Sequence, residues 1–186
     1  LIPCPPLHAR RGGILVRPIL EYNYGNVSGA IRTTGAIMQI QKTVFISYRR
    51  TNVYHARAVY QSLTARGYDV FMDYASIDSG AFDQIILRQI DARAHFLVLL
   101  TPSALEHCDE PGERLRREIE RAMEMKRNIV PLMFDGFDFG NMKPYLTGKL
   151  AALAQYNGPN VHADFFEEAI ERLCTRFLNT PLERVI

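Results

Sequence analysis

The sequence of 186 residues contains no tryptophan and only three cysteines, Cys4, Cys108 and Cys174. The cysteines are odd in number and widely spaced, and they form no Cys-x-x-Cys pair, so neither a disulfide framework nor a cysteine-based zinc site is indicated. This pattern favours a reducing compartment, and we expect a cytoplasmic location. The five histidines, His95 among them, lack the paired spacing of metal ligands, so each is expected at the surface or in a loop and no metal site is predicted.

Long apolar runs and a strong net charge are also missing. The longest apolar runs, such as residues 96–100, span only a few residues, which excludes a membrane-spanning helix. Arg17 and Pro18 interrupt the first apolar stretch, so no secretory signal is predicted. Residues 1–37 hold four arginines and one glutamate, whereas the remaining residues hold 18 basic and 19 acidic side chains. Such a balance gives no electrostatic reason to expect nucleic acid as a partner, and no membrane partner is expected.

The first 37 residues differ from the rest in composition and in periodicity. Glycine and proline recur throughout them, and no helical or alternating period persists for ten residues. We therefore expect residues 1–37 to be an appendage outside the core, residues 38–180 to form one domain, and residues 181–186 to be a tail. The alternative for residues 1–37 is an arm that packs on the domain or on a partner.

From residue 38 onward, short apolar segments alternate with segments of helical periodicity. The pattern predicts strands over residues 43–47, 69–73, 95–100 and 128–134, with a short fifth strand from residue 161. It predicts helices over residues 52–66, 82–92 and 165–178, a helix from residue 113, and a short helical piece over residues 142–154. Apolar strands separated by helices indicate an α/β, flavodoxin-like three-layer sandwich with a central parallel five-stranded sheet. The ligand crevice of such a fold lies beyond the carboxyl ends of the strands.

Glu118 is the candidate catalytic residue. With about 100° of rotation per residue, Leu115, Ile119 and Ala122 fall on one face of the helix that starts at residue 113. Glu118 lies at the shoulder of that face, roughly 80° from its centre. There a carboxylate can be partly desolvated and still face a cleft, which is what makes a carboxylate useful in a site. The alternative is an ordinary solvated or ion-paired glutamate.

Four polar residues, Ser47, Tyr48, Arg49 and Arg50, end and follow the first predicted strand. Two adjacent arginines at a crevice can recognise phosphate, because guanidinium groups match its oxygens. The alternative is a pair of exposed cations. No Gly-x-Gly-x-x-Gly follows this strand and no Gly-x4-Gly-Lys-Ser/Thr occurs, so an ordinary Rossmann cofactor site and a P-loop are both disfavoured.

The loop after the second predicted strand supplies Asp73, Gly80 and Phe82. Gly80 permits backbone conformations that other residues resist, and Phe82 offers a ring that could stack on a planar base. The alternative is a loop that simply begins the next helix, with Phe82 filling the core.

Six short segments, in this order and spacing, make the chain resemble the TIR (Toll/interleukin-1 receptor-like) domain family over about residues 42–178. They are residues 44–50, 67–73, 77–82, 96–105, 117–122 and 126–131. The chain is most similar to the enzymatic, NAD-cleaving branch, which includes the axon-degeneration enzyme of animals and bacterial antiphage-defence proteins. Residues 47–50, 103–108 and 156–158 read like that branch, and Glu118 stands where many adaptor-type members lack a glutamate.

The resemblance implies cleavage of the nicotinamide–ribose bond of NAD⁺, giving nicotinamide and ADP-ribose or a cyclic ADP-ribose isomer, in bacterial antiphage signalling. NAD⁺ would be consumed as the substrate, so no cofactor is expected. Glu118 would be catalytic. The substrate would contact Ser47, Tyr48, Arg49, Arg50, Asp73, Gly80 and Phe82. Other TIR domains would bind through residues 76–82 in a homo-oligomer, and a separately encoded sensor or effector is a further expected partner.

One position departs from the family pattern. Relatives commonly carry tryptophan four residues before the catalytic glutamate, and this chain has Arg114 there. Arg114 could supply a cation–π or phosphate contact to the substrate instead. Two alternative functions stay open: a non-catalytic module for TIR–TIR contacts, including a host-mimicking virulence protein, and a hydrolase that acts on a nucleoside with another base.

Overall fold

The structure is a computed structural model that describes residues 42–73 and 80–179, with the backbone alone for residues 80–82. The expected appendage over residues 1–37, the tail over residues 181–186 and loop residues 76–79 lie outside these ranges. No helix in the described ranges is long and apolar enough to cross a membrane.

A parallel sheet of five strands forms the centre of the described part. The strands are β1 (Thr43–Ser47), β2 (Asp69–Met72), β3 (His95–Leu100), β4 (Asn128–Phe134) and β5 (Asn160–Val161). Their order across the sheet is β2-β1-β3-β4-β5, and each neighbouring pair is parallel. The predicted α/β fold is therefore confirmed. β3 is buried along its whole length and apolar from Phe96 onward, and it lies at the centre of the sheet, as its composition indicates.

Helices cover both faces of this sheet. The α-helices are α1 (Val53–Ala65), α2 (Gly80–Asp91), α3 (Arg114–Glu124) and α4 (Phe166–Arg172). Because side chains alternate along a strand, Val44 and Ile46 of β1 pack in one core with α1 and α4. Phe45, between them, packs in a second core with α2 and α3. The result is the expected three-layer sandwich.

Several boundaries differ from the prediction. The helix α2 begins at Gly80, two residues before the predicted start. Two 3₁₀ segments, Lys143–Tyr145 and Gly148–Gln155, replace the single helical piece. Pro144 lies in the first turn of the first segment, and Gly148, which begins the second, adopts a φ of 58° that interrupts a continuous helix. The last predicted helix is divided into a 3₁₀ turn, α4 and a π-helical turn over Leu173–Phe177.

The expectation that every histidine lies at the surface or in a loop is wrong for His95. This residue begins the central strand β3 and is fully buried. Its Nδ1 lies 2.8 Å from the side-chain amide nitrogen of Asn128, which also donates to the carbonyl of Phe177 at 2.8 Å. Burial of the ring is tolerated because it has a polar partner.

Candidate active site

Glu118 lies in the second turn of α3 with only 5% of its surface exposed. Local sequence fixes this position. The Glu113 carboxylate caps the helix by accepting from the Arg116 backbone N–H at 2.8 Å, and Leu115 and Ile119 seat the helix against the sheet. Because Glu118 precedes Ile119 in α3, it lies next to the helix face that packs against the sheet and is buried with it. It is more deeply buried than the helical periodicity indicates.

Both carboxylate oxygens of Glu118 have a partner. The hydroxyl of Ser47, at the end of β1, donates to Oε2 at 2.6 Å, and Arg114 Nε donates to Oε1 at 2.9 Å. Burial raises the pKa of the Glu118 carboxyl above its ordinary value, and the nearby charge of Asp73 adds to this. Arg114 and the Ser47 hydroxyl act in the opposite direction, because they stabilise the charged form.

Asp73 is a second buried carboxylate beside Glu118, placed directly after the last residue of β2. Its Oδ2 contacts the Nη2 atom of Arg114 and lies 3.8 Å from Nη2 of Arg50. Its backbone carbonyl accepts from the hydroxyl of Tyr48. The four charged side chains therefore alternate in sign, in the order Glu118, Arg114, Asp73 and Arg50.

The structure shows contacts of Arg114 that the sequence interpretation did not include. Its guanidinium is bound between two carboxylates, and the expected cation–π or phosphate contact to a substrate stays a prediction. The physical reason is the accumulation of two buried acids at the ends of β1 and β2, which a single arginine can neutralise in part. The sequence does indicate the contact with Glu118, because Arg114 and Glu118 have the i, i+4 spacing of a helical ion pair. The contact with Asp73 has no local signal.

The two arginines expected to recognise phosphate have different environments. Arg49 is half-buried, and its Nη1 donates to the backbone carbonyl of Glu106 and, at 3.4 Å, to that of Ala104. It thereby anchors the loop after β3. The Arg50 side chain is 49% exposed and lies at the rim of the site. Of the pair, Arg50 is better placed to reach an incoming anion.

A cavity of about 290 Å³ opens beside these residues. Its lining is Tyr48, Arg49, Arg50, Thr51, Glu113, Arg114, Leu115 and Glu118. This volume is close to the lower end of the range for ligand pockets, about 300 Å³. A smaller hollow of about 10 Å³ lies deeper, between β1, Asp73, Arg114 and Glu118. The described residues thus place a carboxylate at the bottom of a polar cleft beyond the strand ends.

The structure therefore brings together most of the residues singled out from sequence. Ser47 and Arg114 contact Glu118, Tyr48 and Arg114 contact Asp73, and Arg49 and Arg50 line the cavity. The backbone of Gly80 and Phe82 forms the first turn of α2, and their side-chain surroundings lie outside the described part. Among residues 42–73 and 80–179, no group of three His, Cys, Asp or Glu is arranged to hold a metal ion.

Two features of the neighbourhood were missed from sequence. Arg117, one turn after Arg114, pairs with Asp83 in the first turn of α2 at 2.7 Å, so α3 is tied to both Asp73 and Asp83. A larger cavity of about 660 Å³ lies away from Glu118, near the ends of β3 and β4. Its lining includes Tyr54, His55, Phe134, Asp135 and Phe166. Size alone would favour this cavity, but Glu118 and the charges around it lie at the smaller one.

Comparison with known proteins identifies a protein family whose model matches most of the chain. The TIR domain family model matches residues 44–174. The NAD(+) hydrolase tir-1 of Caenorhabditis elegans is 31% identical over 153 residues, which are 80% of this chain and 16% of that protein. The NAD(+) hydrolase sarm1 of Drosophila melanogaster is 32% identical over 139 residues, 73% of this chain and 10% of that protein. The chain thus spans only a small part of the length of these relatives.

A solved structure supports the fold. The metazoan TIR-STING receptor from C. gigas, solved in complex with 2',3'-cGAMP, has a TM-score of 0.51 to this chain at 17% identity. The match covers 75% of this chain and 40% of that one. At this identity the likeness supports the architecture alone.

Proposed function

The chain belongs to the TIR domain family, and we propose that it is an NAD⁺ hydrolase that cleaves the nicotinamide–ribose bond with Glu118 as the catalytic carboxylate. The single observation that carries the proposal is the placement of Glu118, buried at the strand ends, bonded to Ser47 and lining a polar cavity. The relatives named NAD(+) hydrolase support the choice of substrate.

The chemistry suits one carboxylate. Nicotinamide leaves as a neutral molecule, because the electron pair of the breaking C–N bond cancels the positive charge of the pyridinium ring. The ribose that remains has oxocarbenium character, as in glycoside hydrolysis. A buried carboxylate close to this ribose stabilises the developing positive charge more strongly than water does. Water then adds to the anomeric carbon and releases a proton, which gives ADP-ribose.

The remaining assignments belong to the same proposal. Arg50, at the rim of the cavity, contacts the pyrophosphate, and the hydroxyl of Ser47 keeps the Glu118 carboxylate oriented. Attack by an adenine nitrogen or a ribose hydroxyl, in place of water, gives a cyclic isomer. NAD⁺ is the substrate and no further cofactor takes part. Self-association with other TIR domains through residues 76–82, in immune signalling against phage, completes the proposed role.

The test is an NAD⁺ cleavage assay on the full chain, both in dilute solution and clustered on beads. Free nicotinamide should appear, and Glu118→Ala should abolish it while circular dichroism shows an unchanged fold. Glu120→Ala is the matched control, because Glu120 lies on the same helix and pairs with Arg116 rather than with the site. Equal turnover by Glu118→Ala and the wild type would refute the assignment, and mass spectrometry of the products separates ADP-ribose from cyclic isomers.

One observation favours a second function, a non-catalytic module that signals through TIR–TIR contacts. Arg114 already pairs with Glu118, so the carboxylate does not present its full charge to the cavity. A docking module predicts that NAD⁺ stays intact even on beads, while self-association measured by light scattering persists. If NAD⁺ is cleaved on beads and the cleavage depends on Glu118, the chain is not a non-catalytic module.

A further inference from the structure

We propose that Arg114 is a displaceable counter-ion of Glu118, and that Asp73 retains the guanidinium when the positively charged ribose of the substrate takes its place. The inference rests on the proposed function, because it concerns how NAD⁺ reaches the Glu118 carboxylate. It makes Arg114 and Asp73 positioning residues for the reaction.

The contacts of Arg114 permit such an exchange. Nε bonds to Glu118 and Nη2 contacts Asp73, so different nitrogens of one guanidinium serve the two acids. One contact can therefore be lost while the other is kept. The side chains of Asp73 and Glu118 are only 5% and 6% exposed, whereas that of Arg114 is 39% exposed. The arginine is the member of the cluster that lies towards solvent.

A free carboxylate oxygen on Glu118 requires the exchange. One carboxylate oxygen is taken by Ser47, which is fully buried in β1, and the other is taken by Arg114. The hollow enclosed between Asp73, Arg114 and Glu118 measures about 10 Å³. A hollow of that size is too small for more than a single water molecule, which needs about 10–15 Å³. A ribose ring in the cavity of about 290 Å³, which Glu118 also lines, therefore gains a free carboxylate oxygen only when Arg114 moves, because Ser47 is held in β1.

Electrostatics gives the same requirement. A guanidinium and an oxocarbenium ion on one carboxylate repel each other, and this repulsion is strong in a buried site. Asp73 offers the departing guanidinium a second buried negative charge that it already contacts, and Arg50 is the next cation along the cluster. Glu118 is bonded to Ser47 from β1 and Arg114 from α3, with Asp73 and Arg50 beyond Arg114. Of the other described residues, Tyr48, Arg49, Thr51 and Glu113 are the polar and charged groups that line the cavity of about 290 Å³ with it.

The experiment is a double-mutant cycle on the full chain, with Arg114→Met, Asp73→Asn and the double variant. Turnover of NAD⁺ is measured as kcat and KM from pH 6 to pH 9, and thermal unfolding checks each fold. Asp73→Asn alone should lower kcat/KM about tenfold, because Arg114 then stays on Glu118. In the Arg114→Met background, Asp73→Asn should lower kcat/KM less than twofold. An equal loss in both backgrounds would overturn the proposal.

The pH profile separates positioning from a purely structural role. Arg114→Met removes the cation that favours the ionised carboxylate, so activity should fall more steeply on acidification, by about a further tenfold between pH 8 and pH 6. Arg114→Lys keeps a cation and should restore the wild-type profile. A profile that is the same in wild type and Arg114→Met would contradict the counter-ion role, even if both enzymes were slower.

Failure of this inference is distinguishable from failure of the proposed function. Suppose that the wild type cleaves NAD⁺ and Glu118→Ala does not. If the effects of Arg114→Met and Asp73→Asn on kcat/KM are then additive, the exchange of Arg114 is rejected and the proposed function stands. If the wild type leaves NAD⁺ intact on beads, the proposed function fails. In that case a carbon-13 NMR titration of the Glu118 carboxyl decides whether Arg114 is its counter-ion. A higher titration midpoint in Arg114→Met supports the pairing, and an unchanged midpoint rejects it.

Discussion

Replacing Gly158 by alanine is the sharpest test of how the chain packs against β4 before it enters β5. A Cβ at this position would stand 1.7 Å from the carbonyl oxygen of Pro131 and 2.8 Å from its carbonyl carbon. Both are backbone atoms of a strand that is paired with β3 through Val98. No change of side-chain rotamer relieves the overlap, so the backbone of the Gly158→Ala variant has to move.

The expected loss of stability follows from that movement. The segment must retreat by about 1.5 Å to restore an ordinary contact. Such a shift would break the hydrogen bond from the Met133 N–H to the Pro159 carbonyl, now 3.2 Å, and the pairing of Phe134 with Val161. Overpacking costs about 1–3 kcal/mol and each lost backbone hydrogen bond about 1 kcal/mol, so we expect Gly158→Ala to lower the free energy of unfolding by about 3–5 kcal/mol.

The assay is urea unfolding of the full chain, followed by circular dichroism, with Gly112→Ala as the matched control. Gly112 lies in an exposed turn, and a Cβ there would meet no atom within 4 Å. The control should stay within about 0.5 kcal/mol of the wild type. If the two variants unfold at the same urea concentration, the close approach of Gly158 to Pro131 is wrong.

Two further predictions concern the carboxylate itself. Ser47→Ala removes the hydroxyl that stabilises charged Glu118, so kcat should fall about tenfold and the decline on acidification should begin at a higher pH than in the wild type; an unchanged pH profile would show that the hydrogen bond does not influence ionisation. Glu118→Gln should abolish turnover yet raise the free energy of unfolding by about 1 kcal/mol at pH 8. The sign follows from the pKa of Glu118, which folding raises, because stability linked to such a group is lost as pH rises through the folded pKa. The gain in Glu118→Gln should therefore shrink towards pH 5, and a gain that is constant with pH, measured by urea unfolding, would contradict the argument.

The sequence predicted those parts of the fold that have a local cause. The strands β1, β3 and β4 have the predicted bounds, since short, apolar, β-branched runs have few other ways to be buried. Helical periodicity placed Leu115, Ile119 and Ala122 in the core and Glu118 beside them. The resemblance to the family rests on six short motifs within residues 44–131, and the family is confirmed by the match to residues 44–174.

Features with a non-local cause were not predicted. The pairing of Arg114 with Asp73 joins the first residue of α3 to the residue that follows β2, two positions far apart in sequence that the strand order brings together and that no short segment encodes. His95 was judged by residue type, although its place in a central strand decides its burial. The 3₁₀ and π turns after β4 have weak periodicity, and small backbone adjustments determine them.

The two outer strands of the sheet have a consequence for assembly. β2 has four residues and β5 has two, and they occupy the opposite margins of the sheet. Strands this short offer few unpaired backbone groups to a strand from a neighbouring molecule, which limits edge-to-edge aggregation. Copies of this domain that gather at high local concentration are therefore expected to associate by side-chain complementarity between their surfaces. Contacts of that kind are reversible on dilution, unlike the growth of a shared cross-β ribbon.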